Sequence, residues 1–168
     1  RLDLSGFLRV DPRAPEADIE AGARLGDLIF WITSHGNNVK GKLAPSRHRL
    51  FATRIVSTPQ GPRIEPEGQP CFELLDALLR EPRLQAYDLF SAALLPPKAP
   101  GALNIEGLAA TPEGHLLIGF RNPVPAGKAL IVPLLNPLEA IGSGSPRRGQ
   151  PVLLDLRGDG IRSLDARG

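Results

Sequence analysis

The sequence predicts an all-β protein with a short helical insertion. Three observations carry that prediction. Gly and Pro number 18 each in 168 residues, roughly twice the usual share, which argues against a helical bundle and favours many short elements joined by turns. Apolar residues alternate with polar ones, or run in short blocks bounded by turn signals, as strands do. The succession of strands and turns then occurs twice, on either side of one stretch with helical spacing. The 42% hydrophobic fraction is enough for a real core.

Leu4 to Val10 reads as a strand of a preceding unit, bounded 1–10. The first full unit spans 17–66. Ile19, Ala21 and Ala23 alternate with Glu20, Gly22 and Arg24, and Leu28 to Ile32 follows as an apolar strand after the Gly26-Asp27 turn signal. A polar loop from Ser34 to Arg47 leads to a third strand, Leu50 to Val56, and Gly61 to Ile64 forms a short fourth. In the insertion, bounded 71–97, Phe72, Leu75, Leu78 and Leu79 recur at helical spacing until Pro82. A second short helix is expected between Leu84 and Leu95, before Pro96-Pro97. Strand signals return over 102–156, with Leu103 to Ala109, a Pro112-Glu113-Gly114 turn, Leu116 to Phe120, and Ala129 to Leu135. Val152 to Leu156 reads as a strand opening a third unit at the border of the second; Gly158-Asp159-Gly160 and Ile161 to Leu164 continue it over 160–168.

The two units match at residue level: Asp18-Ile19-Glu20-Ala21 lines up with Asn104-Ile105-Glu106-Gly107. Repeated four-stranded meanders with a carboxylate in the first strand of each read as blades of a β-propeller, with a β-sandwich as the alternative. The chain is then a single partial propeller domain over 1–168. Its missing blades are expected from a longer chain or from a homo-oligomer, because open strand edges must be covered. The lack of any methionine also predicts a chain that is part of a longer translated product.

Charge narrows the partners. The net charge is only +2, with acids and bases interspersed, so nucleic acid is not an expected partner. No apolar run reaches the roughly eighteen residues of a membrane span. The helical stretch carries Glu73, Asp76 and Glu81, which argues against binding a membrane surface. A soluble protein, cytoplasmic or exported, is expected. The lone Cys71, beside Phe72, reads as a small buried hydrophobe.

Glu20 and Glu106 are the leading site candidates, since equivalent positions of successive blades line a central channel side by side. With Asp18 and Asn104, and with Asn122 nearby, they offer the oxygen-rich set that calcium prefers. In the alternative reading each Glu accepts hydrogen bonds that tie neighbouring blades together. Arg47, His48, Arg121 and Asn122 form a possible rim for a small anionic ligand, arginine being suited to bidentate capture of carboxylate or phosphate. Equally, each arginine could pair with Glu20 or Glu106. Ser34 and His35 emerge at a strand end, where His35 could serve as base or ligand. Adjacent strand residues face opposite ways, so the two make a poor nucleophile and base. Arg157-Gly158-Asp159 fits a turn, Gly142 to Ser145 lacks the lysine of a phosphate loop, and His115 is expected to be exposed.

Four motifs are specific enough to compare: Ser34-His35-Gly36-Asn37, Ser46 to Ala52, Leu103 to Ala109, and Ile118 to Pro123. In that order they resemble the domain-of-unknown-function family 3616, a bacterial propeller-like group, over the chain from about Asp18 to Leu164. The resemblance implies a propeller-like fold with further blades after Leu164 and brings no activity with it. The expected role is a scaffold or ligand-binding module for a small anionic ligand or a protein. The alternative is a calcium-assisted hydrolase of phosphate or carboxylic esters, phytase-like or esterase-like. In that case Glu20 and Glu106 hold the ion, Arg121 binds the anion and His35 moves protons.

Overall fold

The computed structural model describes residues 2–166. Two four-stranded antiparallel sheets carry the fold, each a meander with its strands in chain order. The first holds β1 (Ile19–Leu25), β2 (Leu28–Thr33), β3 (Leu50–Thr58) and β4 (Gly61–Cys71). The second holds β5 (Asn104–Ala110), β6 (Leu116–Asn122), β7 (Ala129–Leu134) and β8 (Val152–Leu154). Both sheets are open among the described residues.

Turn chemistry sets the first hairpin. Leu25 pairs with Leu28 across Gly26-Asp27, and Gly26 takes φ +61°, the left-handed conformation that a two-residue hairpin turn requires. The innermost strands are interrupted in the same way. Pairing of β1 with β2 slips between Ile19 and Ala21, and pairing of β5 with β6 slips between Ile105 and Gly107. Glu20 and Glu106 are thus the extra residues of two equivalent bulges, which free a side chain from the strict alternation of the sheet.

The sheets face each other across one core. Phe30, Ile32, Leu50 and Ala52 from the first meet Leu108, Ile118, Phe120 and Val132 from the second. Between the sheets in sequence come α2 (Leu74–Leu79), a 3-10 turn over Pro82–Tyr87, and α3 (Leu89–Leu94). Leu74, Leu78, Leu84 and Leu89 of this insertion close the same core. Each such side chain contributes about 1.5–3 kcal/mol through burial. Cys71 is buried as expected of a small hydrophobe, and burial pushes its thiol pKa up.

The two outward faces are covered differently. On the first sheet the Trp31 ring lies over Gly22, stacks on Phe51 and donates from Nε1 to Thr53 Oγ1 at 2.9 Å. Phe7 then meets Phe51 edge-on. On the second sheet the outward-facing Gly107 pairs with a second glycine, Gly119. The notch so formed receives Ile161 and Leu164, which pack with Ala129, Ile131 and Leu117.

Three sequence expectations are corrected here. Residues 5–8 form a short helix, α1 (Ser5–Leu8), in place of a strand, because Phe7 and Leu8 pack from one turn while Arg9 ends it in the left-handed region. The fourth strand of the first unit runs on to Cys71, well past Ile64, held by pairing from Thr58↔Gly61 to Leu50↔Cys71. Val152–Leu154 does not open a third unit but is the outer strand of the second sheet, paired with β7. Ile161 to Leu164 follows without strand structure and lies across that sheet's outward face, anchored by Ile161 N to Phe120 O at 2.9 Å. Residues 1, 167 and 168 of the expected flanking units lie outside the described residues.

Candidate functional site

The strands β1 and β5 run beside each other at the seam of the two sheets, and the chain stitches them where β2 ends. Ser34 N donates to Asp18 O at 3.0 Å, and Ile105 N donates to Ser34 O at 2.9 Å. With the bulges at Glu20 and Glu106, this brings together Asp18, Glu20, Arg47, Asn104, Glu106 and Arg121. The convergence is electrostatic as well as geometric, since Asp18, Glu106, Arg121 and Arg47 all act on the Glu20 carboxylate.

The two glutamates nevertheless have different surroundings. Glu106 is buried and its Oε1 accepts from Arg121 Nη1 at 2.6 Å and from Asn104 Nδ2 at 2.9 Å. Glu20 is exposed and has no hydrogen bond or ion pair among the described residues. Partial desolvation, and then the carboxylates of Asp18 and Glu106, hold its pKa above the usual range. Asn104 Oδ1, beside Glu106, is buried without a partner among the described residues.

Arg47 is the other organiser. Its Nη2 reaches Glu16 at 2.7 Å, and its Nη1 reaches Asp18 at 3.1 Å and the Asn37 carbonyl at 3.2 Å. Its side chain is only 9% exposed, so it is an interior clamp rather than part of an open rim. Thr33 Oγ1 donates to the Arg47 carbonyl and accepts from Arg49 N. Arg49 is buried too, donating from Nε to Leu8 O at 2.8 Å and lying over the Phe72 ring. Burial lowers its pKa.

His35 is placed in the interior, which corrects the expectation of an accessible base. A left-handed backbone (φ +56°) turns the ring inward, and Nδ1 lies 2.8 Å from the Thr33 carbonyl. A carbonyl can only accept, so the proton of the neutral ring sits on Nδ1. Desolvation pulls its pKa down to about 3. The ring stacks on His48, with centroids 5.9 Å apart, and among the described residues Nε2 of each is buried without a partner. Burial lowers the His48 pKa as well. Ser34, also buried, accepts at Oγ from Gly36 N.

The metal expectation meets the same obstacle of prior engagement. Among the described residues no three His, Cys, Asp or Glu side chains gather as metal ligands. Asp18 and Glu106, two of the four residues expected to hold calcium, are bound by Arg47 and Arg121. Six to eight free oxygens, as calcium prefers, are not assembled at this seam.

Arg121 and Asn122 take part in a second feature. They line a cavity of about 640 Å³, walled also by Val124, Leu154, Leu156 and the segment from Gly158 to Leu164. Arg121 is bonded through Nη1 alone, and Arg162 on the same wall makes no hydrogen bond or ion pair among the described residues. Sequence reasoning had no signal for this cavity, because it forms where residues 158–164 cross the second sheet. It also missed the Glu81 clamp, in which the carboxylate joins Arg83 to Arg148 across the fold. The Arg83 hydrogen bond leads in pulling the Glu81 pKa down to about 2.

These features define a mostly β protein of two repeated antiparallel meanders with a charged seam between their first strands. The chain belongs to the family described as "Protein of unknown function (DUF3616)", whose model matches residues 67–168, more than half of the sequence. The motifs Leu103 to Ala109 and Ile118 to Pro123 fall within that match, while Ser34 to Asn37 and Ser46 to Ala52 precede it. No curated protein and no solved structure matches the chain.

Proposed function

We propose that the two sheets are successive blades of a propeller, and that the chain acts as a scaffold and binding module for a small anionic ligand beside Arg121. The observation that carries this reading is Arg121 itself. Glu106 fixes its guanidinium through one nitrogen, and the residue lies on the wall of a cavity shared with Asn122 and Arg162. A half-exposed arginine held in place by one carboxylate keeps donors for a second anion at little cost in side-chain ordering. The burial of His35, Ser34 and Cys71 weighs against nucleophilic catalysis by these groups.

Thermal melts with phosphate, sulfate and acetate at constant ionic strength test the reading. A ligand at about 100 times its Kd adds about 2.7 kcal/mol to the folded state. A rise in Tm that is lost in Arg162→Ala and in Arg121→Gln is the expected result. No rise with any of the three anions overturns it.

One feature favours the calcium-assisted reading: among the described residues Glu20 makes no hydrogen bond or ion pair, and Asn104 Oδ1, beside the Glu106 that acts on Glu20, has no hydrogen-bond partner. A melt in calcium against one in chelator separates the two. A calcium-specific rise abolished by Glu20→Gln replaces the first reading; equal melts remove the second.

A further inference from the structure

The cavity beside Arg121 has a second character that the charges do not explain. Leu154 and Leu156 are 39% and 40% exposed, and both lie on its wall together with Val124. Isolated exposed leucines need no explanation, but exposed apolar side chains gathered in a concavity with a few polar groups are the usual make-up of a small-molecule site. Leu154 is fixed by pairing with Ala129 at the edge of the second sheet, while Leu156 follows just beyond the strand. The same lining carries Arg121, Arg162 and Asn122, against the single carboxylate of Asp159. Two of its lining residues meet in close backbone contact, for a Cβ on Gly160 would lie 1.8 Å from Arg121 O.

From this mixed lining we infer that the cavity takes an organic carboxylate with an apolar body, its head group on Arg121 and Arg162 and its chain against Val124, Leu154 and Leu156. The inference rests on the anion-binding reading and narrows it, since an inorganic anion would use only half of the wall. A purely apolar ligand would leave the arginines and Asn122 facing it unpaired, which costs affinity.

Calorimetric titration of the full chain with acetate, octanoate and octanol, below their aggregation concentrations, tests it. Burying one methylene strengthens binding roughly fourfold, so burial of about two of the added methylenes makes octanoate more than tenfold tighter than acetate. Octanol should bind at least tenfold more weakly than octanoate. The double variant Leu154→Ser, Leu156→Ser alters exposed positions, and its fold is checked by melting. It should remove most of the advantage of octanoate over acetate, and Val124→Ser gives an independent check on the same wall. Acetate and octanoate binding equally would overturn the apolar half and leave the anion reading standing. Octanol binding as tightly as octanoate, or no binding by either carboxylate, would overturn the inference; the anion reading falls with it only if phosphate and sulfate also leave the Tm unchanged.

Discussion

Glu20 and Glu106 occupy the same bulge in two successive sheets, yet among the described residues only Glu106 is held, by Arg121 at 2.6 Å. The pair therefore behaves asymmetrically on substitution. Glu106→Gln weakens a charge-assisted bond at a buried position and should cost about 1–3 kcal/mol in urea unfolding. Glu20→Gln removes a carboxylate repelled by Asp18 and Glu106 and should stay within about 0.5 kcal/mol of the parent. Equal losses would contradict the structural assignment.

The notch beneath Ile161 is sensitive to a single methyl group. A Cβ on Gly119 would come within 2.7 Å of Ile161 Cγ2 and 2.9 Å of Leu164 Cδ1. Gly119→Ala should lower stability by about 1–3 kcal/mol, as overpacking does. It should also raise the rate of hydrogen exchange at the Ile161 amide, whose bond to Phe120 O depends on the same contact. Unchanged exchange would show that the segment does not rely on the notch.

Acid should weaken the fold through His35. Its folded pKa, about 3, lies below the ordinary 6.5, so between these values the unfolded chain binds more protons than the folded one. Stability is then fully present above about pH 6.5 and falls as pH is lowered toward 3. His48, whose pKa is also lowered, adds to the same slope. In His35→Gln, denaturant midpoints measured across this window should show a shallower dependence than in the parent.

Arg47→Lys should loosen the N-terminal approach to β1. One ammonium cannot reproduce the guanidinium's simultaneous bonds to Glu16, Asp18 and the Asn37 carbonyl. Limited proteolysis should cut the variant faster between residues 11 and 18 than the parent, with a stability loss of about 1–3 kcal/mol for the disturbed buried bonds.

Much of this was legible in the sequence. Alternation at Ile19, Ala21 and Ala23, the Gly26-Asp27 turn and the leucines of 74–79 announce their elements, because period and turn chemistry are local properties. The match of Glu20 with Glu106 likewise foretold their meeting at the seam. What periodicity could not supply was which partner each group would take. Arg47 engages Asp18 and Glu16 rather than Glu20, and His35 turns inward on a left-handed backbone.

Local pattern along the chain accounts for the first four-stranded meander, three strands of the second, the helical insertion between them and the recurrence of one acidic position, but not for the pairing of Val152–Leu154 at the second sheet's edge. Only tertiary structure decided that Glu106 is neutralised while Glu20 is not, that Ile161 fills a two-glycine notch, and that a cavity opens beside Arg121. The reason is range. Strand period and turn conformation are set by neighbours along the chain, whereas burial, ion pairing and cavity shape depend on residues that meet only when the two sheets close on their shared core.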